Sequence, residues 1–344
     1  MKTSLGLDIG SKSIKLIELG KDKGKIQLLA AGSTPTPQKS PGTTGTQEDT
    51  ASYASSIKKL IRDAGVRSRS VFLALPESQV FTRVIQMPAL SERELASALR
   101  WEAEQYIPLP LTQVNMDFSV LRDAKETGTN TMDILLVASP KSLLEKYLGY
   151  VELAGLNALG VETEIIAISR ALTASSKNVK TVMLFSFGAQ TSDLAILRGG
   201  TIAFTRSISA GGDALTRALS QGLGLELVQA EEFKKTYGLE EQMLEGKILQ
   251  AAKPIMEAIS GEIRRSILYF EEKAPGEHVS IILLTGGSAR MPGLVVYLAQ
   301  NLGNGIEIQV ADPWIGIERD QRFAVLDHQG PVFSTSVGLA LRSL

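Results

Sequence analysis

Hydrophobic positions in the first thirty residues fall into three short runs, 5–9, 14–19 and 26–30, each apolar or alternating and separated by polar, glycine-bearing turns. Runs of that length and period predict strands. Thr181–Phe187, Ser192–Arg198 and Thr201–Ile208 repeat the arrangement, with turns at 188–191 and at Gly199-Gly200. Laid over each other, LDIGSKSIKLIEL and FSFGAQTSDLAIL share a glycine at one place and a polar four-residue turn. Two such units, each heading a half of the chain, predict a duplicated α/β fold.

The material between them follows other patterns. Residues 35–50, rich in Ser, Thr, Pro and Gly, predict a surface loop. A helix is expected over 53–64, with Ile57, Leu60 and Ile61 on one face, then paired strands at 71–75 and 80–87. Ser91 and Glu94 form a capping box ahead of a helix whose buried face carries Leu95, Leu99 and Ala103, and which Pro108 and Pro110 stop. Trp101 lies off that stripe and is either covered by another part of the chain or open to a partner. Alternation at 114–121, an apolar run at 132–138 and a helix over Lys141–Leu153 complete a block, 71–159, that reads as an α+β module inserted into the first half. Further on, helices are expected over 214–219, 230–237, 248–270 and 294–302, strands over 281–284 and 306–310, and a closing small-residue helix over 334–342 in which Gly338 permits close approach.

Composition narrows the function classes. With 44% hydrophobic residues among 344 there is ample material for a packed core. Lys plus Arg (36) nearly balance Asp plus Glu (37), so no general attraction to nucleic acid or anionic lipid is expected. The absence of cysteine excludes disulfides, thiolate metal sites and a cysteine nucleophile. His278 and His328 are the only histidines and show no metal-ligand spacing, which disfavours histidine-bound zinc and His-dependent hydrolysis. Asp8 precedes any long apolar stretch, so no signal peptide is expected, and the apolar runs are too short to span a bilayer. A cytoplasmic protein is the expectation.

Candidate chemistry sits in the glycine turns. After Asp8, backbone amides at Gly10, Ser11 and Lys12 could converge on an anion, with hydroxyls at Ser11 and Ser13 beside them. Lys15 could neutralise phosphate charge, and Asp8 could hold Mg²⁺ through water. A second turn, Gly188, Ala189, Gln190 and Thr191, occupies the same place in the other half. Gly286, Gly287 and Ser288 follow a buried strand, and Gly211 and Gly212 open a helix, as where backbone must approach a ligand closely. A single such turn also fits an ordinary hairpin.

The order Asp8-x-Gly10-Ser11-x-Ser13-x-Lys15, a second phosphate-type turn and then a Gly-Gly turn resembles the actin-like ATPases. Ala230-Glu231-Glu232-Phe233-Lys234 followed by Gly238 looks like the nucleoside-contacting helix of their MreB and FtsA branches. By that likeness Glu231 and Lys234 would touch the nucleoside; alternatively they are solvated helix charges at i,i+3 spacing. The stretch from Met87 to Leu121, most specifically RWEAEQYIP, together with ILLVASPKSLLEKYLGYVELAGL and PVFSTSVGLALR, is similar to the PilM family of type IV pilus assembly proteins. The resemblance covers nearly the whole chain. It implies a duplicated actin-like (ribonuclease H-like) fold, two halves around a nucleotide cleft, with an FtsA-like inserted subdomain in the first half. The halves would be 1–180, completed by 325–344, and 181–324. It further implies ATP or ADP with Mg²⁺ in the cleft, and docking of the cytoplasmic N-terminal segment of the membrane protein PilN. The protein would then lie peripherally at the inner membrane, through its partner, beside other pilus platform proteins or further copies of itself.

One position departs from the pattern. Actin-like ATPases usually open the second phosphate turn with an aspartate, and here Ser186 stands there. Losing one carboxylate should weaken Mg²⁺ binding and leave an attacking water poorly placed, so at most weak ATPase activity is expected. Glu164 occupies the place of the family's water-orienting glutamate; alternatively it only favours a helix N-terminus. An FtsA-like filament protein is a second reading, set against by the chain's close at Leu344 with no amphipathic membrane helix beyond the last core helix. A small-molecule kinase on the same fold is a third, and it would need a carboxylate base and a pocket-forming insertion.

Overall fold

The computed structural model describes residues 1–37, 41, 46–176, 179–303 and 305–344. β1 (Lys2–Ile9), β2 (Ser13–Asp22) and β3 (Lys25–Pro35) form an antiparallel meander in which Asp8 sits opposite Lys15. α1 (Gln47–Ala64) begins earlier than the expected 53, inside the stretch expected to be loop. Thr46 caps it: its hydroxyl accepts from the Asp49 amide at 3.1 Å, and the Thr46 amide donates to the Asp49 carboxylate at 3.4 Å. A cap of this kind starts a helix ahead of its apolar period. Within the expected loop, 38–40 and 42–45 lie outside the described residues.

β4 (Ser70–Leu75) runs parallel to β1. The chain then leaves that sheet. β5 (Phe81–Pro88), α2 (Glu92–Tyr106), β6 (Val114–Arg122), the one-turn α3 (Ala124–Thr127) and β7 (Thr131–Pro140) build a three-stranded antiparallel sheet in the order β5-β7-β6. Its own small core joins Leu95, Leu99 and Ala103 of α2 to Ile85, Ile134 and Leu136. α4 (Lys141–Leu153), β8 (Asn157–Thr163) and α5 (Glu164–Leu172) return to the first sheet, where β8 pairs with β4. The separate sheet is therefore narrower than the block read from sequence. An apolar run looks the same whichever sheet it joins.

The second half holds β9 (Thr181–Phe187), β10 (Ser192–Arg198), β11 (Thr201–Ile208), α6 (Gly212–Leu223), α7 (Leu227–Tyr237), α8 (Lys247–Lys273), β12 (Ile281–Thr285), α9 (Leu294–Leu302) and β13 (Glu307–Val310). β14 (Ile317–Glu318) and α10 (Gly330–Leu341) end the chain. One sheet has the order β14-β3-β2-β1-β4-β8 and the other β11-β10-β9-β12-β13. Setting β14 aside, the two orders match strand for strand: an antiparallel meander, then two parallel strands. The duplication seen in the sequence is thus a duplication of topology.

Residues 4–9 of β1 are buried on both faces, because helices cover the sheet on either side. α10 packs so closely on β1 that a Cβ on Gly6 would lie 2.2 Å from the Ser336 carbonyl oxygen. On its other side, a Cβ on Gly338 would lie 1.8 Å from the Ala167 oxygen of α5. Glycine at both positions lets α10 lie between the first sheet and α5.

Candidate functional site

The β1–β2 turn and the β9–β10 turn face one cleft open to solvent. Asp8, Gly10, Ser11, Lys12, Ser13 and Lys15 line it from the first half, as does Glu164 at the start of α5. Gly188, Ala189, Gln190, Thr191, Gly286 and Gly287 line it from the second. Among the described residues, no side chain plugs the space between the turns. The Gly10 amide, however, is used inside its own turn, donating to the Ser13 oxygen at 3.2 Å, so it is not offered to a ligand. Lys15 is likewise engaged: its ammonium donates to the Asp8 carboxylate at 2.8 Å, and both side chains are buried. Lys12 reaches the other half, with Nζ 3.1 Å from Asp213 Oδ1.

Gly211, Gly212, Ser288, Glu231 and Lys234 stand behind the second turn and do not line the cleft floor. The first amides of α6 are spent on that turn, Gly212 N–H on the Gly188 oxygen at 2.9 Å and Asp213 N–H on the Ala189 oxygen at 2.8 Å. Gly211 allows this approach, since a Cβ there would meet the Ala189 oxygen at 2.6 Å. Lys234 is buried, not a solvated helix charge. Its ammonium donates to the Gly212 oxygen and the Thr216 hydroxyl, both at 2.9 Å, and to the Glu231 carboxylate at 2.6 Å. Partial burial opposes ionisation of Glu231, but Lys234 and Thr216 outweigh it and hold its carboxyl down at about 2.

A third carboxylate, not among those expected from the sequence, lines the cleft beside Asp8 and Glu164. Ser186 does lie where an aspartate was expected, yet Asp193 sits directly opposite it on β10, buried and lining the cleft. The pair Ser186–Asp193 has the same register as Asp8–Lys15, so the overlaid segments already set Asp193 against Lys15. Thr191 donates to Asp193 at 3.2 Å and Ser207 donates to its other oxygen. Burial nevertheless pushes its carboxyl up to about 6. Glu77, also buried, is pushed up to about 7 by burial, with the Asp193 charge acting in the same sense. Glu164 is raised well above the usual carboxylate range, first by burial and then by the charges of Asp8 and Asp193. The Glu77 amide donates to it at 3.3 Å, which fixes its orientation. Strongly shifted carboxyls converging on a cleft are a mark of a functional site.

A second, shallower groove runs where the three-stranded sheet meets the first half. Arg100, Trp101, Glu104, Leu111 and Thr112 line it on one side and Lys141, at the start of α4, on the other. Trp101 is 75% exposed, so none of the described residues covers it.

Duplicated sheets of matching order, with paired turns facing a common cleft, define the actin-like fold. The chain belongs to the family of the type IV pilus assembly protein PilM, whose model matches residues 6–344. Among solved structures, a chain of the PilM–PilN type IV pilus biogenesis complex is similar over 98% of both chains, with a TM-score of 0.86 and 29% identity. Cell division protein FtsA of Bacillus subtilis (strain 168) is 25% identical over 381 residues, covering 97% of this chain and 82% of FtsA. MreB5 of Spiroplasma citri bound to ADP shares the fold, with a TM-score of 0.52 over 98% of this chain and 95% of its own at 12% identity. Among the described residues, no helix is long and apolar enough to cross a membrane.

Proposed function

We propose that this chain is a nucleotide-loaded adaptor of the pilus assembly platform, holding ATP or ADP in the cleft and docking the cytoplasmic N-terminal segment of a PilN-type membrane protein. The observation that carries the reading is the convergence of the two turns, 10–13 and 188–191, on one open cleft. The Ser11 and Lys12 amides, which make no hydrogen bond within the described residues, supply donors for a phosphate. The halves of this reading are 1–180, completed by 325–344, and 181–324.

The donor set fits magnesium bound through water. Among the described residues no three His, Cys, Asp or Glu side chains are grouped to cage a metal. Mg²⁺ commonly retains its waters and takes one carboxylate plus phosphate oxygens, a role open to Asp8. A cation is also favoured on electrostatic grounds, because Lys15 is already matched by Asp8 and Lys12 by Asp213, so neither lysine of the first turn is left to offset phosphate charge. When bound, the metal would offset the negative charge of the phosphates. Glu164 lines the cleft, but burial, then the charges of Asp8 and Asp193, favours its protonated form, which cannot take a proton from water. Turnover below about 1 s⁻¹, under the ordinary enzyme range, follows.

The groove around Trp101 is the docking surface in this reading. It lies between the inserted sheet and α4, and an exposed tryptophan beside Arg100 and Lys141 suits an extended segment carrying an apolar anchor and acidic neighbours. Such a partner would bring the protein to the inner membrane. The test has two parts. Purified protein is denatured and its released nucleotide identified, and a synthetic copy of the PilN N-terminal segment is titrated with and without ATP. Protein that neither retains nor binds nucleotide, or a segment that never binds, defeats the corresponding half of the reading.

A further inference from the structure

Tyr147, on α4, belongs to neither glycine turn, yet it lines the cleft. Its ring is held by packing: it is 1% exposed and lies 5.7 Å from Tyr150, which stacks on Tyr53 at 4.5 Å. The Tyr150 hydroxyl has its acceptor, the Pro41 oxygen at 2.9 Å. The Tyr147 hydroxyl has none among the described residues. A buried hydroxyl without a partner destabilises a fold, so its persistence at a cavity wall marks a place for an acceptor that the chain itself does not supply.

The surroundings say which acceptor. Burial, followed by the nearby charges of Glu164 and Asp8, raises the Tyr147 phenol well above its usual range, so it stays protonated and acts as a donor. Those two carboxylates mark the phosphate side of the cleft, whereas the Glu231–Lys234 network lies behind the second turn. A neutral donor facing carboxylates adds no charge of its own, but it can hold an oxygen of an anion whose charge is offset elsewhere.

We propose that the Tyr147 hydroxyl donates a hydrogen bond to an oxygen of the third phosphate of a bound nucleoside triphosphate, and so distinguishes triphosphate from diphosphate. This rests on the nucleotide reading above. The packed ring, tilted against Tyr150, positions the donor at the cleft wall.

Tyr147→Phe removes the oxygen and keeps the ring. The experiment measures ATP and ADP affinities by calorimetry with Mg²⁺ for wild type and variant, together with the unfolding temperature of each without ligand. The variant is expected to bind ATP about ten-fold or more weakly and ADP within about two-fold of wild type, since a hydrogen bond to a charged group is lost only with ATP. Its ligand-free unfolding temperature should be unchanged or higher, because a merely structural hydroxyl would lower it. Unchanged ATP affinity in a wild type that binds ATP overturns this proposal alone. Equal weakening of ATP and ADP overturns the third-phosphate assignment. A wild type that binds neither nucleotide overturns the nucleotide reading, and this inference with it.

Discussion

Lys12 and Asp213 join the two halves, their side chains 3.1 Å apart between the first glycine turn and the start of α6. The lysine is largely exposed, at 65%, so the pair contributes at most about 1 kcal/mol to stability. Its larger consequence is for ligand charge, because Asp213 occupies a cation that a phosphate would use. Asp213→Asn should bind ATP more tightly, by up to about five-fold, the factor that 1 kcal/mol represents. The gain should shrink in high salt, where exposed charges are screened. Calorimetry at two ionic strengths checks this, and weaker binding by the variant would show that Asp213 itself supports the ligand.

Glu77 makes stability depend on pH near neutrality. Its folded-state value of about 7 exceeds the usual 4.5, so its contribution is complete below about 4.5 and is lost as pH rises through about 7. Asp193, at about 6, acts in the same sense. Glu77→Gln should therefore be more stable than wild type at pH 8, by roughly 3 kcal/mol, with the advantage gone near pH 4. Urea unfolding at both pH values measures it. Parallel pH profiles for the two proteins would refute the assignment.

Lys234→Met leaves Glu231 without its main partner, along with the Gly212 oxygen and the Thr216 hydroxyl. Because Glu231 is about a third exposed, the expected loss is moderate, about 2 kcal/mol. Glu231 titrates at about 2 in the folded protein, so its stabilisation holds above about 4.5 and fades as pH falls towards 2. The variant should lack that share of the acid sensitivity. A loss of stability that is the same at pH 7 and pH 2 would count against the pairing.

Trp101→Ala tests the groove without disturbing the fold. At 75% exposure the side chain adds little to stability, and a change within about 0.5 kcal/mol is expected. Binding of the PilN N-terminal segment should weaken by roughly ten-fold to a hundred-fold, as for an interface anchor. Fluorescence polarisation with a labelled peptide decides, and undiminished binding removes Trp101 from the docking surface.

Gly338→Ala places a methyl group 1.8 Å from the Ala167 oxygen, a distance that requires α10 to move away from α5. A loss of about 3 kcal/mol or more is expected. A variant that melts with the wild type would mean that α10 shifts freely.

The two strand meanders, the Ser91–Glu94 cap and the Leu95–Leu99–Ala103 face were legible in sequence because each is a local pattern. Pairing was not. β4 carries an apolar run much like that of β7, while β8, with the sequence NALGVET, carries none, and only the fold assigns β4 and β8 to one sheet and β5 and β7 to another. Among the cleft residues, those in glycine turns could be read from spacing. Tyr147 in the cleft wall, and Glu77 between the lining residues Pro76 and Ser78, could not, since a tyrosine within a helix and a glutamate between two strands carry no mark until burial gives them one. Asp193 was within reach: the overlay that revealed Ser186 as a gap also set an acid seven residues on, opposite a lysine.

The contact of Gly6 with the helix bearing Gly338 spans nearly the whole chain. A ribosome adding about 5–20 residues per second needs on the order of 15–70 s to deliver α10 after β1 has emerged. For that interval one face of the first sheet is uncovered, apolar and able to pair wrongly. Nascent protein thus depends on being shielded until synthesis is almost finished, and truncations that remove α10 should fail in the cell by aggregation.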